Sequence, residues 1–320
     1  MTSSQHHLRR DGVTPAAAAV MGAELPGVGV PAAPPRPRGA KRYESLYFAL
    51  RNGKLLGGAT IVLVLLGVGV VGPFFVGGDP NAYVGPSSQA PSSDYWFGTT
   101  TFGQDVFAQF VHGLRSTFVV GALGGGLAAA IGMVIGFTAG YRGGLVDEVL
   151  NMLTNIVLVI PTLAVLLVIA AYLSARGLVV EAIFIGCTSW PWAARAIRAQ
   201  TFSLVSRDFV DLARLSGASS PKIIFREIAP NMSSYLFMAF ILLFGGAVLI
   251  AATLDFIGLG PTKGTSLGLM MNNAVLWSAL QLGMWWWFVP PGLGITAIVG
   301  ALYVMNVGLD EVFNPKLREM

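Results

Sequence analysis

The sequence RDFVDLARLSGASSPKIIFREIAPN, residues 207–231, is the longest charged interval between two hydrophobic segments of the chain. Its first half predicts a short helix, because four residues recur at helical spacing and share one face: Phe209, Leu212, Ala213 and Ser216. Gly217 is expected to end this helix, since glycine tolerates a positive φ. A second short helix is predicted after a capping serine, with Pro221 in its first turn and Pro230 at its end. The stretch therefore predicts a compact helical hairpin.

Asp211 is expected to make a charged contact within this hairpin. Arg207 precedes it by four residues and Arg214 follows it by three. At this spacing side chains on a helix are neighbours. The pattern predicts that one or both arginines hold the carboxylate, or that Asp211 is presented to a basic residue of a partner.

The composition of the whole chain is typical of a membrane protein. Of its 320 residues 54% are hydrophobic and only 11% are charged, whereas roughly 25% are charged in soluble domains. Six hydrophobic runs approach the length of about 20 residues that a membrane-spanning helix needs. They are approximately 55–76, 116–140, 150–173, 178–198, 233–257 and 284–307. The predicted fold class is all-α, a polytopic membrane protein with about six transmembrane helices and a cytoplasmic hairpin.

The positions of lysine and arginine predict the orientation of these helices. Cytoplasmic loops of membrane proteins carry an excess of both residues. With the N-terminus inside, every Lys and Arg except Arg115, Arg176 and Lys263 falls on the cytoplasmic side. Both termini and the hairpin are therefore predicted to be cytoplasmic, with external segments at about 77–115 and 261–282.

The chain is expected to hold one large domain after a tail. Residues 1–42 are rich in Pro, Ala and Gly without apolar periodicity, which predicts a disordered cytoplasmic tail. Residues 43–54 place Tyr and Leu at helical spacing beside Lys and Arg, which predicts a short interfacial helix. Residues 55–320 then form the membrane domain, with the hairpin inside a loop at about 199–232.

The hairpin also carries a spaced motif: an acid at Asp211, a small residue at Ala213, a glycine at Gly217 and a proline at Pro230. This motif resembles the cytoplasmic "EAA" loop of bacterial ABC-importer permeases. Leu212 stands where the family usually has alanine. The resemblance identifies the predicted hairpin as the coupling loop of such a permease.

Other segments extend the resemblance to the dipeptide and oligopeptide branch of that family, over residues 43–318. They are GYRGG at 140–144, RAIRA at 195–199, FIGLG at 256–260 and NPKL at 314–317. The external segment DYWFGTTTFGQDV at 94–106 is similar to the family pattern LGTD.LGRDV, with Gln104 in place of the usual arginine.

The resemblance implies the permease subunit of an ATP-driven importer of di- or oligopeptides in the bacterial cytoplasmic membrane. It implies a second homologous permease, two cytoplasmic ABC ATPase subunits, an extracytoplasmic solute-binding protein and contact with membrane lipid. Eight residues of the hairpin would couple ATP hydrolysis to transport: Phe209, Asp211, Leu212, Ala213, Arg214, Gly217, Ala218 and Pro230. Related systems import oligosaccharides, nickel or haem-like ligands, and nothing in the sequence separates these substrates.

Catalytic motifs are missing from the sequence. It contains no G-x-x-x-x-G-K-[ST] phosphate loop, so ATP hydrolysis is expected on a separate polypeptide. No His, Cys or carboxylate pair has catalytic or metal-ligand spacing. No enzyme activity, catalytic residue, cofactor, metal site or nucleic-acid partner is therefore predicted. His112 is expected to be a loop residue.

Glu181 and Asp255 are the ionisable residues predicted within spans, each near an external end. Hydration at the interface or a local ion pair is expected for both, and Asp255 is also a possible gate residue. Asn272, Asn273 and Trp277 are candidate substrate contacts, with surface packing as the favoured alternative. Two other functions stay open: an ion-coupled secondary transporter, which would place such groups nearer the midplane, and a non-transporting membrane scaffold.

Overall fold

The computed structural model describes residues 47–172, 177–262 and 264–313, and these are organised as helices joined by turns. The predicted tail, residues 43–46 of the predicted interfacial helix and the segment 314–317 lie outside the described residues. Of the rest of that predicted helix, residues 47–49 are helical, and a turn at 50–51 separates them from α1. The helices are α1 Gly53–Val76, α2 Val106–Arg142, α3 Gly144–Val159, α4 Thr162–Tyr172, α5 Leu178–Ser189, α6 Pro191–Val205, α7 Asp208–Leu215, α8 Ser220–Ile223, α9 Ala229–Asn231, α10 Ser233–Phe256, α11 Leu267–Leu276 and α12 Trp285–Phe313. The all-α prediction is confirmed.

Four helices in the described part of the chain are long and apolar enough to cross a membrane: α1, α2, α10 and α12. The pair α3–α4 gives a fifth if it counts as one span, although the two helices are bent by 74°. The bend follows Ile160, which has extended backbone dihedrals, and Pro161 stands at the break. Proline disfavours a helical conformation for the residue before it, which accounts for the break.

The predicted span 178–198 is divided in the structure at Trp190. The first part, α5, is a short apolar helix. Pro191 has no backbone N–H, so the regular hydrogen-bond ladder is interrupted there. Trp190 keeps helical dihedrals (φ −69°, ψ −26°), and the chain therefore continues along a helical path into α6. Together α5 and α6 extend about 40 Å at 1.5 Å per residue, but α6 carries the arginines of the RAIRA segment.

Helix α2 begins ten residues before the predicted span, so the external loop ends earlier than expected. The Asp105 carboxylate caps the helix by accepting a hydrogen bond from the Phe107 amide at 2.8 Å. His112 is consequently a helical residue, with Nδ1 2.9 Å from the Ala108 carbonyl oxygen. The prediction that His112 lies in a loop was wrong, because polar side chains in the first turns of α2 interrupt the apolar run without interrupting the helix.

Helix α2 is central to the fold and contacts α1, α3, α5, α6, α10, α11 and α12. Its glycines permit this close packing. A Cβ atom added at Gly136 would lie 2.7 Å from the Ala194 carbonyl oxygen, and one at Gly132 would lie 3.0 Å from the Ala193 Cβ. Gly132 and Gly136, which form a G-x-x-x-G pattern, are therefore part of the contact surface of α2 with α6.

Candidate functional site

The predicted hairpin is present as α7 followed by a second helical segment. Arg207 is the extended residue before α7, and Gly217 follows it with φ +76°. The Ala218 amide donates to the Ala213 carbonyl oxygen at 3.1 Å across this reversal. The predicted role of Gly217 in ending the helix is confirmed, because its left-handed backbone would strain any residue with a Cβ atom.

The second segment of the hairpin contains a wide π-helical turn, Ile224–Ile228, between α8 and α9. Ser219 occupies the predicted cap position with extended backbone, but no side-chain hydrogen bond caps α8. Pro230 lies inside α9, and the helical path ends at Met232. A π-helical turn alters the backbone hydrogen-bond pattern, which allows a proline close behind it.

The fully buried residue of α7, Val210, is not among the four residues that helical spacing groups on one face. Val210 is fully buried, together with Ile223 and Ile228 of the second segment. These side chains join a cluster that includes Phe137 of α2 and Ile197 of α6. Leu212, by contrast, is 66% exposed. Leu212 is therefore available to a partner, as its predicted role in coupling requires, and that role stays a prediction.

The predicted apolar face instead borders an open groove on the hairpin, with a volume of about 410 Å³. Its lining residues come from both segments of the hairpin: Phe209, Leu212, Ala213, Ser216, Ala218, Lys222, Ile223 and Glu227. We call this feature the hairpin groove. It combines exposed apolar surface with one side chain of each charge, so it offers both burial and directional contacts to a docking segment.

Arg214 connects the hairpin to the end of α2. Its guanidinium lies 3.0 Å from an Asp211 carboxylate oxygen and 5.6 Å from the centre of the Tyr141 ring, an arrangement suited to a cation–π contact. In the described structure Asp211 forms its ion pair with Arg214 and not with Arg207. One of the two predicted arginine contacts is therefore present.

Two arginines of the RAIRA segment fasten α6 to α3. Arg198 makes a two-pronged ion pair with both carboxylate oxygens of Asp147, and Arg195 donates to the Asn155 side-chain oxygen at 2.6 Å. Asp147 and Asn155 could not be predicted as partners, because each is far along the chain from its arginine and no local spacing relates them. The one available signal in the sequence was that Asp147, an acid, closely follows the GYRGG segment.

Asp255 is buried on α10, with only 3% of its surface exposed. The Ser266 hydroxyl donates to one of its carboxylate oxygens, and a Cβ atom at Gly260 would overlap the other. The Glu181 carboxyl faces Asp255, and both Glu181 oxygens are buried. Among the described residues neither acid forms an ion pair with a base. The expectation of hydration or an ion pair was wrong, since the two acids lie together in a packed interior.

The segment 261–282, which is predicted to be external, contains a short helix, α11. Asn272 donates to the Phe256 carbonyl oxygen at 2.7 Å and so fastens the FIGLG turn, where Gly258 has φ +88°. Trp277 is half-exposed and its ring meets the Phe102 ring edge-on, with centroids 4.6 Å apart. Asn273 is partly buried on the same helix. Asn272 and Trp277 therefore make contacts within the subunit, and their role as substrate contacts stays a prediction.

The external segment 94–106 is fastened by Gln104 at the position where the resembled family usually has arginine. Gln104 donates to the Asn81 carbonyl oxygen at 2.9 Å and accepts from Gln109 at 2.9 Å. The Trp286 indole donates to the Thr99 carbonyl oxygen at 3.2 Å. These bonds attach the segment to α2 and α12.

Comparison with known families gives this geometry its context. The model of the family described as "Binding-protein-dependent transport system inner membrane component" matches residues 132–319, which include the hairpin and the RAIRA and FIGLG segments. The chain belongs to this family. The permease is therefore a multi-pass membrane component of an ABC transport system, a family in which ATPase activity resides in separate subunits.

Relatives of the permease match it over most of its length. A putative peptide permease protein of Brucella suis biovar 1 is 31% identical over 293 residues, which cover 91% of this chain and 94% of the relative. A putative peptide transport system permease protein of Brucella abortus biovar 1 is 31% identical over 265 residues, 82% and 87% of the two chains. The dipeptide transport system permease protein DppC of Bacillus subtilis is 30% identical over 275 residues, 84% of each.

Proposed function

We propose that the permease forms, with a second homologous permease, the path by which di- or oligopeptides enter the cell. The observation that carries this proposal is the similarity to three peptide or dipeptide permeases over at least 82% of the chain. Residues 55–320 act as one permease domain. An extracytoplasmic solute-binding protein delivers the peptide, and two cytoplasmic ABC ATPase subunits supply the energy.

The hairpin groove is the proposed docking surface for the ATPase. Phe209, Leu212 and Ala213 offer apolar surface, whose burial contributes roughly 25 cal/mol per Å² removed from water. Asp211 and Arg214 lie on the same helix and offer charge. A partner segment in the groove would hold the hairpin from outside, while the fully buried Val210 holds it to the permease from inside.

Movement of the docked hairpin would pass into the membrane helices through contacts that are already packed. Val210 and its cluster touch α2 and α6, and Arg214 reaches Tyr141 at the end of α2. The Arg198–Asp147 ion pair joins α3 to α6, so that the two helices would move together. We propose that these contacts make the hairpin a lever acting on three helices.

The transported substrate is tested with the complete transporter in proteoliposomes. Uptake is measured for a dipeptide, a longer peptide, an oligosaccharide, nickel and haem, each with the cognate solute-binding protein. ATP-dependent uptake of a peptide, and of none of the other ligands, supports the proposal. Uptake of oligosaccharide, nickel or haem without uptake of peptide would contradict the proposed substrate class. Uptake by the permease alone under an ion gradient would contradict the proposed ATP-driven mechanism.

A further inference from the structure

A second groove lies between the outer half of α1 and the first turns of α2, far along the chain from the hairpin. Its volume is about 660 Å³. The apolar part is formed by Val68, Val71 and Phe75 of α1 and by Val111 of α2. We call it the outer groove. Its α1 residues recur at helical spacing and so form one continuous apolar strip along the helix.

Charged and aromatic residues line the other part of the outer groove. Asp94 of the external segment and Asp105, the cap of α2, are its charged lining residues, and Trp96 and Phe107 lie beside them. The two rings are 5.0 Å apart. Burial raises the pKa of Asp105, although hydrogen bonds from backbone amides lower it. A half-buried carboxylate of this kind gains from a cationic neighbour.

Two exposed aromatic side chains indicate that the outer groove lies at the boundary between hydrocarbon and water. Phe75 at the end of α1 is 84% exposed and Trp96 is 66% exposed. Aromatic residues are enriched at this level of membrane proteins. An occupant must therefore join an apolar chain to a polar head at one end, which is the form of a membrane amphiphile.

We propose that the outer groove binds a membrane lipid with a primary ammonium head group, of the phosphatidylethanolamine class. The acyl chain lies along Val68, Val71 and Phe75, and the ammonium lies between Asp94 and Asp105. A primary ammonium donates up to three hydrogen bonds and carries the charge complementary to both carboxylates. A choline head group keeps the charge without N–H donors, and a glycerol head group has no cationic group.

The experiment uses the complete transporter in nanodiscs. Each preparation contains a trace of one photoactivatable lipid with an ethanolamine, choline or glycerol head group, and cross-linked peptides are mapped by mass spectrometry. The ethanolamine lipid should label the α1 and α2 faces of the outer groove about threefold more than the glycerol lipid, the ratio expected from one partly exposed ion pair.

Two pairs of variants test which residues select the lipid. Asp94→Asn should lower the ethanolamine preference by about threefold, whereas Asp79→Asn, an exposed acid of the same loop that does not line the groove, should leave it unchanged. Val71→Trp should fill the groove and lower labelling by all three lipids. Val70→Trp is the matched control, since both valines are 50% exposed but only Val71 lines the groove.

Two results would overturn the proposal. Equal labelling by the three lipids, unchanged in Asp94→Asn, would mean ordinary annular contact without head-group selection. Absence of label from the outer groove with all three lipids would mean that the groove is covered by protein.

Discussion

Arg198 joins helices around the hairpin through both its side chain and its backbone. Its guanidinium bonds both oxygens of Asp147, and the two side chains are only 32% and 17% exposed. The backbone of the same residue lies against α2, since a Cβ atom at Gly140 would stand 2.7 Å from the Arg198 carbonyl oxygen. One residue therefore ties α6 to both α2 and α3.

Replacing Arg198 with alanine is predicted to destabilise the permease by about 1–3 kcal/mol, because a partly buried carboxylate loses its charged donor. The stability of Arg198→Lys should lie between those of Arg198→Ala and the wild type, since lysine keeps the charge but lacks the planar fork of the guanidinium. Thermal unfolding in detergent measures the effect. Arg195→Ala, which loses one hydrogen bond to Asn155, serves as the control and should be milder. Unchanged unfolding of Arg198→Ala would contradict the structural role of the pair.

Local residue patterns predicted the hairpin elements well and their surroundings poorly. Gly217 and α7 follow from spacing and backbone preference along a few residues, so the sequence contains the needed information. The burial of Val210, which no local pattern indicates, depends on which side of α7 meets α2 and α6, and the Arg198–Asp147 pair depends on a contact 51 residues apart. The beginning of α2 was missed because a cap, and not hydrophobicity, determines it.

The two faces of α7 are predicted to respond differently to an introduced charge. Val210→Asp places a carboxylate in a packed cluster without a partner, and the permease should fail to accumulate in the membrane. Leu212→Asp places the same group on an exposed position of the hairpin groove, so the permease should insert normally but bind its ATPase weakly. Membrane fractionation and copurification of the ATPase measure the two effects. Normal ATPase binding by Leu212→Asp would contradict the proposal that the ATPase docks in the hairpin groove.

At the scale of the whole molecule, the arginine and lysine distribution predicts which ends of the helices are cytoplasmic. The exposed Ser87 in the loop after α1 and the exposed Leu215 at the end of α7 lie on opposite predicted sides. With the exposed native Cys187 replaced by serine, Ser87→Cys should react with a membrane-impermeant thiol reagent in spheroplasts. Leu215→Cys should react only after the membrane is opened, and the reverse pattern would invert the topology.

We propose above all that the hairpin transmits ATP hydrolysis to the membrane helices. Gly217→Val strains a residue at φ +76° by about 1–2 kcal/mol, and Asp211→Lys places a base beside Arg214. Glu148→Lys, an exposed charge reversal on α3, is the control.

The direct measurement is peptide uptake together with substrate-stimulated ATP hydrolysis by the reconstituted transporter. Gly217→Val and Asp211→Lys should insert and assemble but lose both activities, while Glu148→Lys keeps them. Normal uptake by a fully assembled Gly217→Val transporter would contradict the claim.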